Sequence, residues 1–252
     1  MSGAMNAAEQ VTAKATGPES LSAESRATAA RLAESYRVSP LDMVPNPSPL
    51  LVESTEEVAV PTPNGFFGLR AWRFADGAEH LSARALDRDG NPVPYEGGGA
   101  PAVRIHSECA TGDIFGSFRC DCGPQLENGL RIIGRTGGYL VYVRNHEGRG
   151  IGLVNKLRAY ALQDAGLDTL DANLALGLDG DMRDYSQAAL ILQELGVHEM
   201  RLVTNNPAKQ EALEGLGLRV TELIPDEIPA RVENAHYLHT KRERMRHLLE
   251  RA

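Results

Sequence analysis

The run Gln125-Leu-Glu-Asn-Gly-Leu-Arg-Ile-Ile-Gly-Arg135, a glycine break, and then Tyr139-Leu-Val-Tyr-Val-Arg144 set a helix beside a strand. In the first run the apolar residues return every three or four positions, the period of one helix face, whereas in the second they follow one another over strand length. The alternation continues outward. Residues 153–165 and 186–195 read as helices, and 200–204, 207–216 and 218–223 as strand, helix and strand. Such alternation predicts an α/β core in which helices pack on a largely parallel or mixed sheet. Toward the N-terminus the pattern shortens. Residues 58–74 read as strand, Pro63-Asn64-Gly65 turn and strand, and 103–106 as a further strand, which gives this half α+β character. Residues 1–40 are rich in Ala, Ser and Glu with a helix over 24–36, after which Pro45, Pro47 and Pro49 break the chain. Residues 1–56 are therefore expected to be an N-terminal extension, partly helical or disordered, and 57–252 the main domain. No internal repeat is present.

At 252 residues the chain can bury one large core or two modest ones. Its longest apolar runs are strand-length, far short of a membrane span. The net charge of -8 argues against general binding to nucleic acid or to anionic membranes, because both reward broad basic surfaces. An anionic ligand must meet a local basic pocket instead. Glu9, Lys14 and Glu19 lie where a secretory signal would have its basic start and apolar block, so the expected compartment is the cytoplasm.

Three cysteines occur, Cys109, Cys120 and Cys122, an odd number within 14 residues. They cannot build a disulfide framework for a chain this long, and a reduced compartment with a metal site fits better. Three thiolates leave a fourth position for exchangeable water, as in a catalytic zinc site. Closure by His106 into a structural site, or three buried or redox cysteines without metal, are the alternatives on spacing alone.

The surroundings narrow this. Arg104-Ile-His-Ser-Glu-Cys-Ala-Thr-Gly-Asp113 followed by Gly116-Ser-Phe-Arg-Cys-Asp-Cys-Gly123 resembles the zinc signature of the GTP cyclohydrolase II family. His146-Glu-Gly-Arg-Gly-Ile-Gly-Leu-Val-Asn-Lys-Leu-Arg-Ala-Tyr160, Asp168-Thr-Leu-Asp-Ala-Asn173, Asp181-Met-Arg-Asp184, Thr204-Asn-Asn-Pro-Ala-Lys209 and Tyr237-Leu-His-Thr-Lys241 resemble that family's further motifs, in order. The resemblance implies a homodimeric enzyme that opens the imidazole ring of GTP and releases formate and pyrophosphate, with zinc and Mg2+ both needed. It implies one zinc per chain on Cys109, Cys120 and Cys122, and catalytic roles for Tyr160, Asp181 and Arg183. Arg183 matches a residue proposed to attack the α-phosphorus, with Asp181 as proton acceptor. It further implies substrate contacts from Arg104, Ile105, His106, Ser107, Glu108, Gln125, Glu147, Gly148, Arg149, Thr169, Thr204 and Lys209.

Chemistry leaves several of these roles open. A guanidinium is almost always protonated, so Arg183 also reads as a clamp on phosphate charge. Tyr160 suits a proton relay, or a buried phenol with a satisfied hydroxyl. Gly148-Arg-Gly-Ile-Gly152 before a helix whose first turn carries Asn155 and Lys156 suits an anion, although a plain tight turn reads the same. Lys209, one turn into a helix begun at Pro207, also reads as a surface lysine. The family's pattern is broken in few places. His146 stands for a usual Gln, Asp179-Gly180 is more polar than usual, and Arg246 replaces a common Gly. His146 could titrate near neutrality or be a satisfied core histidine. Competing functions are an enzyme that stops at the formamidopyrimidine and a zinc-stabilised module without catalysis.

Overall fold

In the computed structural model the described residues are 21–36, 47–245 and 248. The first twenty residues, Pro45 and Arg246 lie outside them. Strands β1 (Leu51–Ser54), β2 (Val58–Thr62), β3 (Gly65–Phe74) and β4 (Glu79–Leu86) form an antiparallel half-sheet. Strands β5 (Ala102–Ser107), β6 (Gly138–Val143), β7 (Glu199–Val203) and β8 (Arg219–Ile224) form a parallel half. The two halves meet where β4 pairs antiparallel with β6, in the order β1-β3-β4-β6-β5-β7-β8 with β2 also on β3. This is the mixed α/β sheet expected from the alternating pattern. The helices are α1 (Ala23–Ser35), α2 (Ala110–Asp113), α3 (Cys122–Thr136), α4 (Leu153–Asp164), α5 (Thr169–Ala175), α6 (Ser186–Glu194), α7 (Pro207–Gly215) and α8 (Ala235–Met245).

Period-two alternation decides what each sheet face holds. Val103 and Ile105 of β5, with Tyr139, Val141 and Val143 of β6, pack with Ile191 and Leu192 of α6 and Leu213 of α7. On the opposite face Ala102 and Leu140 pack with Phe67, Ala83, Ala85 and Ile133 of α3. Fully burying one aliphatic side chain of this size contributes about 1.5–3 kcal/mol. The alternation has a second result. Arg104 and His106 fall on the α3 face of β5 and are buried there, at 5% and 2% exposure, so each needs a polar partner. A third cluster joins Ala29 of α1 to Ala159 and Leu162 of α4 and Ala172 of α5.

Because β5, β6 and β7 run parallel, their carboxyl ends fall on one side of the sheet. The segments that leave them begin at Glu108, Arg144 and Thr204. Ligands bind in the crevice outside such strand ends. No helix among the described residues is long and apolar enough to cross a membrane.

Candidate active site

Cys109 leaves β5, and Cys120 and Cys122 flank the start of α3. Their sulfurs lie within 4.8 Å of one another, with Cys109 and Cys120 at 3.7 Å. Tetrahedral zinc with Zn–S bonds of about 2.3 Å sets its sulfurs about 3.8 Å apart, so the trio has the spacing to hold one ion. Glycines make the cradle. A Cβ on Gly112 would lie 3.0 Å from Cys120 Sγ and 3.2 Å from Cys109 Sγ, and one on Gly123 would lie 2.4 Å from the Gly112 carbonyl oxygen. Hydrogen bonds from Cys120 and Cys122 pull the Cys109 pKa far down, with Lys156 adding to the effect. The same sharing pushes Cys120 up to about 11 and Cys122 well above its ordinary value. His106 does not complete the cluster: its Nε2 lies 3.1 Å from Asp113 and its ring stacks on Tyr142.

The cysteines line one wall of a pocket of about 1010 Å³, open mouth included, at the large end of small-molecule sites. Of the residues expected to bind substrate or act in catalysis, all but Ile105 and Asp181 line it. The Ile105 side chain points into the core on the other sheet face, while its carbonyl accepts a 2.7 Å hydrogen bond from Lys209 Nζ. Asp181 reaches the pocket through Arg183. Lys209 is buried rather than solvated, and burial, helped by Arg104 and Arg183, drives its pKa well down. Asn206 caps α7 by accepting from Ala208 N at 3.2 Å, and this cap with Pro207 fixes the helix start that aims Lys209 inward. Thr204 Oγ1 accepts from Asn206 N, and Thr169 opens α5, where Asp168 caps the first turn.

Arg104 donates to the Val203 carbonyl at 3.0 Å and to Gln125 at 3.2 Å, and pairs with the fully buried Asp226 at 3.0 Å. Arg149 has φ +70°, and both of its terminal guanidinium nitrogens are buried without a hydrogen-bond partner among the described residues. Its neighbour Gly148 has φ +59°, where a Cβ would meet Ile151 Cγ1 at 2.7 Å. The loop is thus built to hold an unsatisfied cation over the pocket, which is what an anion requires. Glu108 accepts from Asn145 N at 2.9 Å, and burial raises its pKa.

Tyr160 reaches Thr111 Oγ1 at 3.4 Å, and Thr111 Oγ1 in turn lies 3.7 Å from Cys109 Sγ. Burial raises the phenol pKa. Arg183 closes a fork on Asp181, with Nε to Oδ1 at 2.8 Å and the second contact from the terminal nitrogen. Burial works against the Arg183 charge, but Tyr185 and Asp181 more than offset it and raise its pKa.

The family described as GTP cyclohydrolase II matches residues 53–225. The chain belongs to the GTP cyclohydrolase II family. Curated relatives include the riboflavin biosynthesis protein RibBA of Rhodococcus jostii (strain RHA1), 52% identical over 198 residues that cover 78% of this chain and 47% of the relative. The RibBA proteins of Mycobacterium marinum and Mycobacterium tuberculosis are each 51% identical over 197 residues, 78% of this chain and 46% of theirs. The chain spans about half the length of the curated relatives it matches.

His146, expected either to titrate or to be a satisfied core histidine, is buried at 6% exposure with both ring nitrogens partnered, by Ser107 and the Asp184 carbonyl. Sequence reasoning overlooked Asp226, which anchors Arg104, and the pairing of Asp121 with Lys241 at 2.6 Å, which ties the cysteine loop to α8. An isolated acid between Pro225 and Glu227 carries no local signal. Asp121 was visible between two cysteines, but its partner is 120 residues away. Lys156, placed by the sequence in the first turn of the helix after the glycine loop, has its ammonium on Glu147 and Cys109.

Proposed function

We propose that this chain hydrolyses GTP to 2,5-diamino-6-(5-phospho-D-ribosylamino)pyrimidin-4(3H)-one, formate and diphosphate, the first step of riboflavin biosynthesis or of a specialised route using the same pyrimidine. What carries this reading is that a three-sulfur cluster, the guanidinium groups of Arg104, Arg149 and Arg183 and the amine of Lys209 meet on one pocket at the ends of β5, β6 and β7. Cys109, Cys120 and Cys122 would hold the zinc, which when bound would supply Lewis acidity for hydrolysis at the imidazole carbon.

The protein's own groups do the rest. Glu108 accepts from the guanine N–H and amino groups, a task for an acceptor-only side chain. Arg149 and Lys209 take the phosphates, which also carry Mg2+. Tyr160, beside the cluster, moves or holds a proton near the ring. Arg183 and Asp181 act as a unit at the α-phosphate. Their fork, and the raised Arg183 pKa, favour a charged clamp over a nucleophile. The enzyme acts in the cytoplasm as a homodimer, a reading supported by the exposed Ile114, Phe115 and Phe118 after α2 and Leu153, Val154 and Leu157 on α4.

Incubating the purified protein with GTP and Mg2+ and weighing every product by mass spectrometry tests this. Formate, pyrophosphate and the diaminopyrimidine are expected together. A formylated pyrimidine as the final product would show that the reaction stops one hydrolysis earlier.

A further inference from the structure

A buried ion pair stands behind Cys109. Lys156 Nζ donates to Glu147 Oε1 at 2.6 Å and to Cys109 Sγ at 3.0 Å. The other oxygen of Glu147 accepts from the backbone N–H of Ala110 at 2.6 Å, one residue beyond Cys109. Both side chains are under a tenth exposed, 9% for Lys156 and 6% for Glu147. Glu147 therefore has both oxygens engaged, one on the lysine and one on the cysteine's own chain segment. Gly148 lets the loop close over the lysine stem, since a Cβ there would come within 3.1 Å of Lys156 Cβ.

Charge counting gives the pair a purpose. Three thiolates around a divalent ion, together with the Glu147 carboxylate, leave two uncompensated negative charges in an enclosed site; the Lys156 ammonium reduces them to one. A thiolate that accepts a charge-assisted hydrogen bond is also fixed in direction and made less electron-rich.

We propose that Lys156, oriented by Glu147, is a positioning residue for a zinc held by the cysteines: it bonds the Cys109 sulfur and supplies the counter-charge that three thiolates need. This rests on the zinc reading above.

The test compares wild type with Glu147→Gln, Lys156→Met and the double variant Glu147→Gln/Lys156→Met. The double variant replaces the ion pair by neutral groups of similar shape, so no unpaired charge is left buried. Zinc affinity is measured by competition with a chromophoric chelator, and the thiolate-to-metal charge-transfer band is recorded after cobalt substitution. Lys156→Met and the double variant are expected to bind zinc about 10- to 100-fold more weakly, the range for losing an outer partner of a metal ligand. Their cobalt band should move to longer wavelength, because an unbonded sulfur gives up charge more easily. Glu147→Gln, which keeps the ammonium, should stay close to wild type. Equal losses in all three variants would mean that the pair only braces the loop and would overturn the proposal, as would an unmoved band with wild-type affinity in a folded double variant. A wild type that takes up neither zinc nor cobalt would overturn the zinc reading instead.

Discussion

His146 Nε2 lies 2.9 Å from the Asp184 carbonyl oxygen, which can only accept, so Nε2 carries the proton and Nδ1 accepts from the Ser107 hydroxyl at 3.1 Å. Burial, with Arg183 adding, pushes the ring pKa down to about 3. The residue thus links the end of β5 to the Asp181–Asp184 segment as a neutral group, and a Gln amide offers the same donor and acceptor. The sign of its pH effect follows. Between the ordinary value of 6.5 and about 3 the unfolded ring binds a proton that the folded ring refuses, so its contribution to stability is intact above 6.5 and is lost as pH falls. Denaturant titrations should show His146→Gln near wild type at pH 7, with wild type losing about 2 kcal/mol more than the variant by pH 5. Parallel losses would place the ring in a more solvated setting. At Arg183 the fork to Asp181 makes a different demand. As a charged clamp, Arg183→Lys should keep a measurable part of the pyrophosphate release, and Arg183→Ala should lose about 100-fold or more. Complete loss in Arg183→Lys, with a guanylyl adduct on quenched wild-type enzyme, would restore the nucleophile.

Elements with strong period were legible, and those shaped by their neighbours were not. Strand β6 and helices α4, α6 and α7 were visible because their apolar residues repeat clearly, and the expected turn at Pro63-Asn64 does join β2 to β3. Strand β4 was missed because Ala83 and Ala85, which fill its inner face, have little strand preference and are chosen to fit under α3. Helix α3 starts at Cys122, three residues before the apolar period shows itself. That early start sets Cys122 on a helix while Cys120 precedes it, and β5 delivers Cys109 to them. The sequence motifs therefore gathered the pocket residues, whereas the buried partners Asp226, Asp121 and Lys241 needed the tertiary structure. Among the described residues the three cysteines are the one gathering of three or more His, Cys, Asp or Glu side chains with ligand atoms this close. Cys120→Ser should lose zinc and ring opening together, from about one zinc per chain in wild type, as read by elemental analysis and formate release. Full zinc content and activity in that variant would remove the trio from the mechanism.

The whole molecule divides its labour along the sheet. None of the residues lining the pocket precedes Arg104, so the antiparallel half serves as a support for the parallel half that carries the pocket. Association should use the helical side. Phe115 is 82% and Ile114 74% exposed, and Arg119 from the same segment lies over Tyr160 of α4. Sedimentation should report twice the 27.3 kDa chain mass, and Phe115→Glu should shift the protein toward the single chain. A wild type that sediments as one chain at micromolar concentration would end the dimer proposal. An open sheet also has two rims, each a row of backbone groups on which a stranger's strand could settle. Here one rim carries Pro61, with no N–H to offer, and Glu53 held by Arg73, while β8 on the other turns Arg219, Thr221 and Glu222 outward. Both rims thus carry features that discourage a stranger's strand from settling there.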